Sequence, residues 1–164
     1  AIACAKKLSC KSVTVVLGCH ADAIQKKIQG KEVQLAYNEN WETGLGTSIS
    51  CGIKSLIKND EEYEAVLILL VDQPFIDTSY LKLLINNYLN HGNRIIATNY
   101  FNRAGVPAIF DKIYFKELEN LNADYGARDL LKKYKKEVIL LDSEGKSQDI
   151  DTIDDYYEAL NLLK

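Results

Sequence analysis

Ala65-Val66-Leu67-Ile68-Leu69-Leu70-Val71-Asp72-Gln73-Pro74 is the stretch that decides the fold. Seven apolar residues run from Ala65 to Val71, with Glu62 and Glu64 before them and a polar turn after. That pattern predicts a strand buried on both faces, the signature of a sheet covered by helices. Asp72 arrives at the carboxyl end, and Pro74 ends the strand because it has no N–H to give to a ladder. Ligands of open parallel sheets bind outside the carboxyl ends of the strands. Asp72 is therefore a charge placed where a ligand or metal would sit; the competing local reading is a helix N-cap or a solvated strand end.

Working outward, strands and helices alternate. Residues 1–9 read as the tail of a helix, with Ile2, Ala5 and Leu8 on one face. A β-branched strand over residues 12–18, a short helix over 20–28 and an alternating strand over 32–37 follow. Residues 38–46 form a polar loop, and Ile49, Ile53, Leu56 and Ile57 place a helix over 47–58, ending near Asn59. After the central strand, Asp77 or Thr78 caps a helix with Leu81, Leu84, Ile85, Tyr88 and Leu89 on its core face, closed at His91-Gly92. A strand at 94–99, a loop, residues 107–110, and two short helices at 113–121 and 127–134 come next, the second capped by Asp124 and eased in by Gly126. Residues 137–142 are the last clear strand, and 154–163 the final helix. The expectation is a single α/β domain of three layers with a mainly parallel central sheet. A helix feeding a parallel strand is normally the second half of a crossover, so a strand is expected before Ala1, roughly 25–35 residues upstream with its loop. The sequence has no Met, which also implies that Ala1 is not the natural start.

Composition narrows the function. The 164 residues are 47% hydrophobic and 26% charged with net charge −3, which favours neither nucleic acid nor an anionic membrane as partner. No apolar run approaches a membrane span and no signal-peptide pattern opens the chain. Cys4, Cys10, Cys19 and Cys51 lack C-x-x-C spacing, pointing to free thiols and a cytoplasmic protein. No Ser-His-Asp or Cys-His catalytic arrangement is evident around His20 or His91. Neither a G-x-x-x-x-G-K-[ST] loop nor G-x-G-x-x-G after a strand occurs, which argues against a P-loop nucleotidase and a dinucleotide-binding protein.

Four groups could carry chemistry. Asn38-x-x-Trp41-x-x-Gly44-x-Gly46-x-Ser48-x-x-x-Gly52 puts glycines before a helix, where a ligand can approach the backbone and free N–H groups suit an anion or a base edge. It also reads as a capped connection with Trp41 as a packing lid. Asp72, Asp149 and Asp151 form an acidic set of the kind magnesium takes, one or two carboxylates with water and phosphate oxygens completing an octahedron. Alternation in an extended segment sends Asp149 and Asp151 the same way; helix capping is the local alternative for Asp151-Thr152. Gly105-Val106-Pro107-Ala108-Ile109-Phe110 reads equally as a turn and strand. In Asp124-Tyr125-Gly126-Ala127-Arg128, Arg128 either grips a phosphate or pairs with Asp129 or Asp124.

In this order the motifs resemble the molybdenum-cofactor nucleotidyltransferases, closest to the molybdopterin cytidylyltransferase branch. The resemblance rests on the Trp41-to-Gly52 loop, Val71-Asp72-Gln73-Pro74, Gly105-x-Pro107-x-x-Phe110, Asp124-x-Gly126-Ala127-Arg128 and Asp149-Ile150-Asp151-Thr152-x-Asp154-Asp155. It implies the Rossmann-like nucleotidyltransferase fold and transfer of a nucleoside monophosphate, from CTP before GTP, to the molybdenum cofactor with release of pyrophosphate. It implies Mg2+ at Asp72 with Asp151 or Asp149 as second carboxylate, nucleotide contacts at Gly44, Gly46, Ser48 and Gly52, and acceptor contacts at Gln73, Gly105, Pro107 and Arg128. A molybdenum hydroxylase would receive the product. Relatives open with a strand and a Gly-rich basic loop that cradles the triphosphate, the same unit expected upstream of Ala1. A sugar- or alcohol-phosphate nucleotidyltransferase and a non-catalytic cofactor carrier are the alternatives.

Overall fold

The computed structural model describes residues 1–58, 62–92, 94–122 and 126–162. Asn59 and residue 163, at two expected helix ends, and Asp124, the expected cap, lie outside them. The elements run α1 (Ile2–Lys6), β1 (Thr14–Leu17), α2 (Ala21–Ile28), β2 (Gln34–Tyr37), α3 (Leu45–Ile57), β3 (Ala65–Ile68), α4 (Thr78–His91), β4 (Ile95–Tyr100), β5 (Arg103–Asp111), α5 (Phe115–Glu119), α6 (Ala127–Lys133), β6 (Val138–Asp142) and α7 (Ile153–Leu162). Short 3-10 turns precede α3 and α5.

Three layers follow from the alternation of side chains on the strands. On β4, Ile95 and Ala97 face a cluster with Ile49, Ile53 and Leu56 of α3, Leu118 of α5 and Leu130 and Leu131 of α6. Ile96, between them, faces the opposite way onto Tyr80, Leu81 and Leu84 of α4 and Leu8 beyond α1. On β5, Phe110 joins the first cluster and Ile109 the second. Each face of the sheet is sealed by its own helices.

The sheet has the order β3-β5-β4-β6, beside a separate parallel pair β1-β2. β3, β4 and β6 run the same way, and β5 alone reverses, because it is the return arm of a hairpin with β4. The hairpin turns on Phe101 and Asn102, both left-handed with φ 48° and 67°, and Asn99 Oδ1 accepts from the Asn102 amide at 2.8 Å. Asn accepts that conformation readily; Phe does not advertise it.

Two expectations need correction. The central strand is short: the ladder stops at Ile68, its residues are only half-buried, and Val71 is 86% exposed. β3 is an edge strand of this sheet, paired through β5 only, so the chain peels off before Asp72 instead of continuing to it. Leu89 is 70% exposed as well, because the last turns of α4 are held by Tyr88, whose hydroxyl reaches the Glu64 carbonyl and Asp111 Oδ2 (3.1 and 2.6 Å). Asp77 is the α4 cap, accepting from the Tyr80 amide at 2.8 Å.

The orientation of the strands fixes where a site can lie. The hydroxyls of Ser12 and Tyr63 are 3.1 Å apart, and Lys11 Nζ reaches the Glu62 carbonyl, so the amino ends of β1 and β3 share one rim. β2 is parallel to β1, while β4 and β6 run with β3. The segments leaving β2, β3, β4 and β6 therefore emerge together at the opposite rim. No helix among the described residues is long and apolar enough to cross a membrane.

Candidate active site

At that rim the two distant acidic segments meet. The Ile150 amide donates to the Asp72 carbonyl at 2.8 Å, clamping the 149–151 strap onto the end of the β3 segment. Gln73, 5% exposed, completes the junction: its Nε2 donates to Asp149 Oδ1 (2.8 Å) and to the Tyr100 hydroxyl (2.5 Å), and lies 3.3 Å from the Val106 carbonyl. Tyr100 in turn donates to Val106 O at 2.5 Å.

The Val106 carbonyl reaches this network because the β4–β5 register shifts. Ala97 pairs with Ala108 but Thr98 pairs with Gly105, leaving Val106 and Pro107 bulged out of the ladder. Gly105 has a packing reason to be glycine, since a Cβ there would stand 2.6 Å from the Tyr100 ring. Pro107 is fully buried and its carbonyl accepts from Thr98 Oγ1 at 2.7 Å. Sequence reasoning gave Tyr100 no role, although it joins β4, the bulge and Gln73; nothing in its local spacing marks it.

Asp72 is half-buried, and its Oδ1 is shut away with no hydrogen-bond partner. Burial pushes its carboxyl above the usual range, a bond to its own amide opposes this, and the negative charges of Asp149 and Asp151 add to the rise. Burial and Asp149 also push the Tyr100 phenol up to about 12, so it remains protonated across the physiological range and keeps its donor. Asp149 and Asp151 are exposed. The capping of α7 falls to other groups: Thr152 Oγ1 accepts from the Asp155 amide (3.2 Å), and Asp155 Oδ2 accepts from the amides of Asp151 and Thr152 (3.1 and 2.8 Å). The Asp151 carboxylate is not spent on the helix.

An unpaired buried carboxylate oxygen facing further acidic groups is the kind of donor a hard divalent cation takes. A magnesium-type ion takes only one or two carboxylates, with water and phosphate oxygens completing its shell. Among the described residues no group of three or more His, Cys, Asp or Glu is arranged to hold a metal.

The glycine loop leaves β2 at the same rim. Asn38, 6% exposed, donates from Nδ2 to Thr47 Oγ1 (2.9 Å) and Ser48 Oγ (3.0 Å), and its Oδ1 accepts from the Asn40 amide (3.0 Å). Thr47 contacts the carbonyls of Gly44 and Asn40. Ser48, half-buried in the first turn of α3, is thus held by Asn38. Gly44 supplies a φ of 128° before α3, which begins at Leu45, two residues earlier than its apolar spacing predicts. Gly46 is buried, and Gly52 lies against β1, where a Cβ would stand 3.1 Å from Val16. Trp41 is a lid: its Cβ and Cγ occupy the space a Cβ on Gly18 would need. Arg128 is exposed at the start of α6; Asp129, its suggested partner, accepts from the Gly126 amide instead (3.1 Å), and Asp124 and Tyr125 fall outside the described residues. All four cysteines are unpaired.

A three-layer α/β/α domain of the Rossmann-like kind, with an acidic rim and a glycine turn leading into a helix on the same side, defines a nucleotidyltransferase scaffold. Residues 1–138 match the MobA-like NTP transferase domain, and the chain belongs to that family. The Asp149–Asp151 strap lies beyond the matched span. The chain is similar to the nicotine blue oxidoreductase of Paenarthrobacter nicotinovorans, 26% identical over an aligned length of 162, with 92% of this chain and 76% of the relative covered. Its fold matches the crystal structure of a homologue of Mycobacterium tuberculosis Rv0371c from Mycobacterium sp. strain JC1, with TM-score 0.81, 25% identity, and 99% and 80% of the two chains covered. It also matches the molybdopterin-guanine dinucleotide biosynthesis protein A of Archaeoglobus fulgidus, with TM-score 0.63, 16% identity, and 90% and 77% covered.

Proposed function

We propose that this chain moves a nucleoside monophosphate, CMP from CTP, onto the terminal phosphate of molybdopterin or its molybdenum cofactor with release of pyrophosphate, in a Mg2+-dependent reaction. The observation that carries the reading is the meeting of Asp72 with the 149–151 strap at one rim, with an Asp72 oxygen left unpaired. An acceptor phosphate oxygen bonds to the α-phosphorus as the bond to the bridging oxygen breaks and pyrophosphate leaves. Such a reaction asks for charge neutralisation and in-line positioning more than for a strong base. Asp72 and a strap carboxylate would hold the Mg2+, which supplies that neutralisation when bound. Ser48, fixed by Asn38, and the backbone beside Gly44 and Gly46 would hold the nucleotide, and exposed Arg128 would meet the acceptor. Pro107, fully buried, and Gln73, 5% exposed, would with Gly105 shape the acceptor side from behind, in place of touching the acceptor as expected.

Pyrophosphate release by the full-length protein with CTP, GTP or ATP, each with molybdopterin, tests this. CTP-dependent turnover that requires molybdopterin and Mg2+ is the expected result. Turnover with a sugar or alcohol phosphate instead would move the acceptor class. Molybdopterin binding without turnover on any nucleotide would make the protein a carrier. The Paenarthrobacter relative is named an oxidoreductase, so redox turnover of nicotine blue by this protein, with no pyrophosphate released on any nucleotide, would overturn the transferase reading.

A further inference from the structure

We infer that Asp149 is not a metal ligand but half of a latch: Gln73 and Asp149 are positioning residues that fasten the acidic strap to Asp72, leaving Asp151 as the second carboxylate. This rests on the reading of Asp72 as a cation site. Asp149 and Asp151 both carry the same sign of charge as Asp72, and the strap is exposed at both acidic residues. Something must hold it at the rim. Two bonds do so: Ile150 N to Asp72 O at 2.8 Å, and Gln73 Nε2 to Asp149 Oδ1 at 2.8 Å.

The amide of Gln73 can sit only one way round. Asp149 Oδ1, the Val106 carbonyl and the Tyr100 oxygen, whose own proton goes to Val106, all face its nitrogen. Turning the amide would set oxygen against a carboxylate and a carbonyl. Its oxygen is left buried and unpaired, so the network accepts that loss to keep the N–H on Asp149. A glutamine with 5% exposure, anchored to the β5 bulge and the end of β4, is a rigid post for an exposed segment.

Replacing Asp149 by Asn separates the two roles. The introduced side-chain amide keeps an oxygen that can accept from Gln73 but lacks the charge a cation requires. Mn2+ binding, read by electron paramagnetic resonance on the purified protein, and hydrogen exchange of the Ile150 amide form the two measurements. For Asp149→Asn we expect the Mn2+ Kd within about threefold of the parent and an unchanged Ile150 amide. For Asp149→Ala and Gln73→Leu the Ile150 amide should exchange about tenfold faster or more, and Mn2+ should weaken on the order of 10-fold or more, the usual cost of losing a partner that orients a metal ligand. Asp151→Asn should weaken Mn2+ equally while leaving the amide protected. Because Asp149 is exposed, Asp149→Ala tests the latch even if Gln73→Leu misfolds. If Asp149→Asn weakens Mn2+ as much as Asp149→Ala, Asp149 is a ligand and the inference is overturned. An Ile150 amide indifferent to Asp149→Ala overturns it too. A parent protein that binds no Mn2+ yet shows the exchange pattern would sink the cation reading and leave the latch standing.

Discussion

Replacing Asp72 by Asn should stabilise the protein while removing its activity. The carboxylate is half-buried, one oxygen is shut away without a donor, and the strap opposite carries two more negative charges. An unpaired buried acceptor costs roughly 1–3 kcal/mol, and repulsion adds to it. Solvent at the rim screens both, so a gain of about 1 kcal/mol is the sensible expectation for an isosteric amide that can donate to the strap. For a domain of this size that raises Tm by about 2–4 °C. The sign with pH is set by the direction of the shift. The folded-state pKa of Asp72 lies above the unfolded value, so the penalty is absent below the unfolded pKa, grows across the interval, and is complete above the folded pKa. The gain from Asp72→Asn should therefore be full near neutrality and vanish as pH falls toward about 4. Pyrophosphate release should fall on the order of 10²–10³-fold, as when one preorganised electrostatic contact is lost. Calorimetric melts from pH 4 to 8, beside the nucleotide-transfer assay, read both quantities. A variant less stable than the parent at pH 7 would show that the Asp72 carboxylate is held by partners within the protein. Full activity would show that no metal depends on it.

Three further outcomes follow from the geometry. Asp77→Ala removes the α4 cap and the 2.8 Å contact with Lys146, and should cost about 1 kcal/mol in denaturant melts. Because Lys146, followed by the Tyr80 amide, holds the Asp77 carboxyl below the usual range, this stabilisation is present above the unfolded pKa and lost as pH falls through the folded one, so parent and variant should converge in acid. Gly18→Ala drives a methyl to 2.5 Å from Trp41 Cβ; stability should drop about 1–3 kcal/mol with a shift in the emission of the single tryptophan, and an unperturbed spectrum would refute the packing described. Asn38→Ala strips Thr47, Ser48 and the Asn40 amide of a buried partner, which should cost about 1–3 kcal/mol and raise KM for the nucleotide more than it lowers kcat.

Periodicity carried most of the architecture, because helix and strand faces that bury different residues leave different spacings in a sequence. The unbroken apolar run Ile95-Ile96-Ala97 is legible as a strand covered on both sides, and the structure sends those residues to opposite clusters. The hairpin is not legible: its turn is Phe101-Asn102 in place of the Asn-Gly or Asp-Gly that signals such a turn, so β5 passes for a loop and a fragment. The length of β3 escapes for another reason. Seven apolar residues look alike whether they pair on both edges or one, and only the sheet order reveals that Leu69 to Val71 have left the ladder.

The acidic site was half legible. A carboxylate closing an apolar run is a local signal, and Asp72 carries it without help from tertiary structure. Its partners are supplied by bonds between residues 76 apart, such as Gln73 with Asp149, and by a bulge that aims the Val106 carbonyl inward. No window on the sequence contains those pairs. The same distinction separates Asp149 from Asp151, which alternation places on one side of an extended segment without difference. What tells them apart is the glutamine next to Asp72, whose nitrogen points at one of them. Asp149 Oδ1 accepts that N–H, whereas the helix cap leaves the Asp151 carboxylate unused. On the proposed latch, the division of labour along the strap is set by Gln73, which follows the first aspartate, and not by the strap itself.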